Sequence, residues 1–126
     1  LKLDKDKCVK MALVHDLAEA VVGDITPADN ISKEEKHDKE KRAIVSMFKK
    51  FDNKQEIIML WNEYNDSKSN ESKFLHELDK VEMLLQAYEY ENKHDNVDLE
   101  EFWVNAKGKV KEPYLKKILD CLKRIR

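Results

Sequence analysis

After Pro113 the chain carries Leu115, Ile118, Leu119, Leu122 and Ile125, apolar residues three and four apart. That spacing draws one stripe along an α-helix, whereas a strand would split it between two faces. The same period recurs upstream. Cys8, Met11, Ala12, His15 and Ala18 share one side of a first segment. Ile44, Met47, Phe48 and Phe51 mark a second, and Ile57, Ile58, Leu60, Trp61 and Tyr64 a third. Phe74, Leu75, Leu78, Val81, Leu85 and Tyr88 mark a long fourth, and Leu99, Phe102, Trp103 and Ala106 a short fifth. Two glycines and two prolines leave too little turn chemistry for a β-rich chain. The expected architecture is all-α, with about six helices.

End signals set the boundaries. Asp4 is placed to cap a first helix running to about Val22, with Gly23 as its left-handed C-cap and Pro27 barring continuation. Asp24 to Ile31 reads as a turn. Ser32 and Glu35 form a capping box, and Asp52 to Gln55 offers another capping pair. Asp66 to Asn70 is loop-like, the fourth helix ends near Glu91, and Asn92 to Asp98 breaks the pattern. Gly108 closes the fifth helix, and Pro113 opens the last at a first-turn position. No internal repeat is visible.

A length of 126 residues suits one domain, 1–126, with a single core. Charged residues make up 40% of the chain but nearly cancel, to a net −2, and are interspersed. That argues against a nucleic-acid polymer as partner. No apolar run is long enough to span a membrane and no signal peptide is recognisable. Cys8 and Cys121 are isolated, which points to a reducing, cytoplasmic setting.

The chemistry is concentrated in Met11 to Ala28, MALVHDLAEAVVGDITPA, where His15, Asp16, Glu19 and Asp24 lie among Met11, Leu13, Val14, Leu17, Val21 and Val22. Ionisable groups in such surroundings are costly unless paired, hydrogen-bonded or bound to a metal. On a continuous helix His15 and Glu19 share a face, and Asp16 is turned about 100° away. An imidazole and a carboxylate suit a borderline or hard divalent ion, and a carboxylate one turn on suits a general acid or base.

The run HDLAEAVVGDITPADNISKEEKH resembles the HD-domain metal-dependent phosphohydrolases. Within them it resembles the HD domain-containing protein 2 family, related to bacterial 5′-deoxynucleotidases. The resemblance continues through Lys36-His37, Glu40 and Ala43, then Ser72-Lys73-Phe74, Leu78-Asp79-Lys80 and Glu82-Met83, and fades after about Glu91. It implies an HD fold and hydrolysis of the 5′-phosphate of deoxynucleoside monophosphates. It implies a divalent ion (cobalt, manganese, magnesium or similar) held by His15, Asp16 and Asp79. Glu19 is implied as the catalytic group and Asp24 as a substrate contact; Asp24 serves equally well as a residue stabilising the turn around Gly23. Glu82, three residues after Asp79 and on the same helical face, is expected to orient that ligand, and the resemblance implies a homodimer. The family's first histidine ligand, on an earlier helix, has no counterpart before His15, nor have the Arg and Trp associated with nucleotide binding. The expectation is therefore a chain lacking its N-terminal helix or helices, and inactive by itself. The competing readings are a non-catalytic helical interaction module with a degenerate site, and an HD phosphohydrolase of another nucleotide.

Other polar residues are read as structural. Glu40 is expected to be solvated or salt-bridged, and His37 and His94 exposed. His76 is structural or exposed despite its spacing from Asp79. Trp61, Trp103 and Phe102 are expected in the core.

Overall fold

The computed structural model of the protein describes residues 2–23, 30–106 and 108–126. Among these, the regular elements are seven helices: α1 Lys5–Val14, α2 Glu19–Val22, α3 Lys33–Phe48, α4 Lys54–Asp66, α5 Asn70–Lys93, α6 Glu100–Ala106 and α7 Pro113–Ile125. The fold is all-α, as the periodicity predicts. The chain divides into two compact units, Leu1–Ser72 and Lys73–Arg126, with the boundary inside α5.

In the first unit α1 begins as Asp4 predicts, its carboxylate accepting from the Lys7 amide. The expected helix to Val22 is not continuous. From His15 to Ala18 the chain tightens into turns closed by Leu17 N–H to Val14 O and Glu19 N–H to Asp16 O, three residues apart, before α2 resumes. Gly23 ends α2 at φ 75°, ψ 178°, a conformation that a side chain disfavours, and its N–H reaches Glu19 O at 2.8 Å. The core joins Val14, Ala18, Ile44, Ile57 and Trp61, with Leu17, Phe48 and Ile58 against it. α1 packs on α4 and α3 on both α2 and α4. Lys7 to Glu63 at 2.7 Å and Lys10 to Glu56 at 2.8 Å span α1 and α4.

Ser32 caps α3 by accepting from the Glu35 amide. The second expected pair does not form: Asn53 is the N-cap of α4 and makes no side-chain cap bond. Phe51 lies beyond α3, exposed, with its ring edge on Phe48. α4 buries Ile57, Leu60, Trp61 and Tyr64 and ends at Ser67, which is left-handed. Ser69 then accepts from the Ser72 amide at the start of α5.

The second unit has its own core of Val81, Leu84, Trp103, Ala106, Val110, Leu115, Leu119 and Leu122. Along α5 the buried row includes Leu84 and Ala87, whereas Leu78 and Leu85, expected inside, are 36% and 43% exposed. Phe102 is likewise outside the core, lining an open cleft with Met83, Tyr90 and Leu99. α7 opens on Pro113 and is capped by Glu112, which accepts from the Leu115 amide. Among the described residues no helix is long and apolar enough to cross a membrane.

Candidate metal centre

The first half of the site is built where α1 stops. Carbonyls in the last turn of a helix lose their partners four residues on and need other donors. Met11 O receives the His15 amide at 2.9 Å, and Val14 O the Leu17 amide at 3.1 Å. The Ala12 carbonyl receives the His15 side chain, with Nδ1 at 2.6 Å. A carbonyl only accepts, so Nδ1 carries a proton, and in the neutral imidazole the lone pair is at Nε2.

That lone pair lies beside a carboxylate: His15 Nε2 is 3.1 Å from Asp16 Oδ2. Two acceptors that close repel unless a proton or a cation joins them. The imidazole is largely enclosed, its side chain 17% exposed, while the Asp16 carboxylate is open to solvent. One ring neighbour is Tyr64 of α4, with centroids 4.8 Å apart and planes tilted by 47°. Tyr64 is itself buried. Both groups stand at the C-terminal end of α1, where the peptide dipoles favour positive charge.

Glu19 opens α2 and is exposed. The shared helical face expected for His15 and Glu19 does not survive the tightened turn. At three residues per turn, positions four apart differ by about 120° rather than about 40°. Asp24 lies outside the described residues, as does Pro27. Asp79 is in the second unit, on α5, an exposed carboxylate two positions before buried Val81, and Glu82 is exposed on the same helix.

Of the remaining polar residues, Glu40 faces Lys36 four positions earlier at 3.9 Å, the ion pair expected of it. His94 is exposed. His37 departs from expectation, being half-buried with its ring stacked on Trp61 at 5.2 Å. Trp61 and Trp103 are core residues as expected. Sequence reasoning passed over two groups that meet His15, the Ala12 carbonyl and the Tyr64 ring. A main-chain acceptor leaves no mark in a sequence, and Tyr64 read only as one more residue of an apolar stripe.

The family model described as HD domain matches residues 1–119. The chain belongs to the HD-domain family. Among curated proteins, this HD domain is 46% identical over 125 residues to 5′-deoxynucleotidase HDDC2 of Danio rerio, covering 97% of the chain and 62% of that protein. It is 44% identical over 124 residues to 5′-deoxynucleotidase HDDC2 of Homo sapiens, covering 96% and 61%. It is 43% identical over 107 residues to 5′-deoxynucleotidase hdd1 of Schizosaccharomyces pombe, covering 79% and 54%. Among solved structures, HD domain-containing protein YGK1 superposes with a TM-score of 0.77 at 28% identity, over 98% of this chain and 66% of that one. The chain thus spans about three fifths of the length of the vertebrate relatives it matches.

An HD domain implies a divalent metal, and the His15–Asp16 arrangement fits one. Its Nδ1 is committed to a carbonyl, and its Nε2 and Asp16 Oδ2 are the two acceptors that a cation reconciles.

Proposed function

We propose that the protein is a metal-dependent phosphohydrolase and acts as a 5′-deoxynucleotidase, releasing phosphate from deoxynucleoside monophosphates. The observation that carries this reading is the His15–Asp16 pair: an imidazole fixed at Nδ1, with Nε2 set 3.1 Å from a carboxylate oxygen. The deoxynucleotidase names of relatives at 43–47% identity supply the substrate class. By the family pattern His15, Asp16 and Asp79 supply one imidazole and two carboxylates, donor types suited to a divalent ion such as cobalt, manganese or magnesium. When bound, such an ion neutralises phosphoryl charge and makes water a better nucleophile.

The chain's own residues divide the remaining work. In the hydrolysis a water oxygen attacks phosphorus, the bond from phosphorus to the sugar O5′ breaks, and O5′ gains a proton. Glu19 orients the water or delivers that proton. Its assignment rests on the family pattern, since the turn before α2 removes the argument from a shared face. Asp24 contacts the sugar side of the substrate. Glu82, one turn beyond Asp79, orients that ligand. The 126 residues act as one HD-type domain, in a cytoplasmic homodimer.

Phosphate release from a panel of deoxynucleoside monophosphates, with cobalt, manganese or magnesium added, tests the proposal alongside metal analysis. In a full-length, metal-loaded protein Glu19→Ala lowers turnover far more than metal content, and His15→Ala lowers both. Equal metal loss in the two variants would make Glu19 a ligand instead.

A further inference from the structure

We propose that the second unit recognises a second copy of this chain by charge: the basic face of α7 in one copy docks on the acidic rim and apolar cleft of α5 and α6 in another. The inference goes beyond the hydrolytic chemistry and rests only on the homodimer proposed with it.

The near-neutral total of the chain hides a segregation of charge. Residues 107–126 carry eight Lys or Arg and two Asp or Glu, a net of +6, whereas residues 73–106 carry three and nine, a net of −6. Contacts inside the unit use little of this. Arg126 takes Glu91 and Glu100. Glu77 and Glu112 accept from main-chain amides at the start of α7, and Asp98 from the Glu100 amide. Among the described residues, exposed Lys109, Lys111, Lys116, Lys117, Lys123 and Arg124 make no ion pair, and neither do exposed Glu82, Glu89, Asp95 and Glu101.

Each patch also carries apolar surface. Tyr114 and Ile125 of α7 are 65% and 63% exposed. Eleven residues apart, they stand about 20° apart around the helix and about 16 Å apart along it, with Lys117 and Arg124 on the same side. The acidic segment holds the open cleft of about 320 Å3, where Met83, Tyr90, Val97 and Phe102 are exposed. Glu82, Glu89 and Glu101 each adjoin one of these residues in sequence, and Glu89 lines a neighbouring hollow with Tyr90 and Lys93. A basic face bearing two apolar side chains complements an apolar hollow with an acidic rim, the arrangement of an interface with an apolar centre and a charged edge. A nucleic acid or an anionic lipid would answer the cations of α7 and leave the acidic cleft unanswered. A second copy answers both, and a two-fold pair makes the contact twice, because each copy brings both patches.

The test is a charge swap read by sedimentation equilibrium of the whole chain. One variant is Lys117→Glu with Arg124→Glu, the other Glu89→Lys with Glu101→Lys; circular dichroism melts confirm that both are folded. The wild type should self-associate, and each variant alone should do so at least about tenfold more weakly. An equimolar mixture of the two should associate as the wild type does, since it restores opposite charges at both contacts. Raising NaCl from about 0.1 M to about 1 M shortens the screening length from about 10 Å to about 3 Å and should weaken the wild-type pair at least about tenfold. Folded variants that associate like the wild type, a mixture no tighter than its components, or salt-independent association would each overturn the proposal. So would a wild type that stays monomeric while it sediments with phosphatidylserine vesicles or binds a single-stranded oligonucleotide through Lys117 and Arg124. A monomeric wild type overturns the homodimer as well, but phosphate release by that monomer would leave the hydrolase reading standing.

Discussion

Lowering the pH should unlock the second unit at one carboxylate. Glu91 Oε1 accepts from Arg126 Nε at 3.0 Å and from Trp103 Nε1 at 3.3 Å; Oε2 accepts from Arg126 Nη2 at 2.9 Å and the Leu99 amide at 3.1 Å. Arg126 also reaches Glu100 at 2.6 Å and lies 4.7 Å over the Trp103 ring. One acid thereby joins α5, α6 and α7. The Arg126 hydrogen bonds, helped by the Leu99 amide and opposed by burial, pull the Glu91 carboxyl from 4.5 down to about 2. A depressed folded value means that the stabilisation is fully present above pH 4.5, the ordinary value, and is lost as pH falls toward 2. At about 1.4 kcal/mol per pH unit the ceiling is roughly 3 kcal/mol. Partial exposure of the Glu91 side chain, 15%, brings in solvent screening and reduces this to about 1–2 kcal/mol. For a chain of this size that is roughly 3–8 °C in melting temperature. Melts of wild type and Glu91→Gln by circular dichroism, taken from pH 7 to pH 2, isolate the contribution from that of other carboxylates. The wild type should be more stable by this amount at pH 7, and the gap should close between pH 4.5 and pH 2. A gap of the same size at both ends would refute the reasoning.

Two further outcomes follow from packing and backbone. Leu84→Ala removes a side chain with no exposure and should cost about 2–5 kcal/mol in urea unfolding, against under about 1 kcal/mol for Leu85→Ala next to it. Similar losses would return Leu85 to the core and displace the observed helix face. Gly23→Ala meets no neighbouring atom, yet should cost about 1–3 kcal/mol from its φ of +75° alone, measured the same way.

The helices were legible because their stripes and caps are local. Pro113, Leu115, Leu119 and Leu122 define α7 without reference to the rest of the chain, and Asp4 and Ser32 cap where their spacing says. The break at His15–Ala18 was not legible, since His-Asp-Leu-Ala contains neither glycine nor proline and reads as helix. The long-range packing of Val14 and Ala18 with Ile44, Ile57 and Trp61 is absent from any local pattern. The role of Glu91 is hidden from the sequence for the same reason: its partners Trp103 and Arg126 lie 12 and 35 residues away. At the site, the residue types pointed to metal chemistry, and the family pattern singled out Asp79 among many acids. The contacts of the His15 ring with a carbonyl and with a tyrosine 49 positions on (15 to 64) are visible only in three dimensions.

The proposed function stands on the family pattern in which His15, Asp16 and Asp79 are ligands to one divalent ion. Calorimetric titration of Co2+ into wild type, His15→Ala, Asp16→Asn and Asp79→Asn tests it most directly. One ion per chain should bind the wild type, and each substitution alone should weaken binding at least tenfold, because His15→Ala removes a donor and each Asp→Asn change replaces an anionic oxygen with a neutral one. Wild-type affinity in Asp79→Asn, with binding lost in His15→Ala, would contradict the claim.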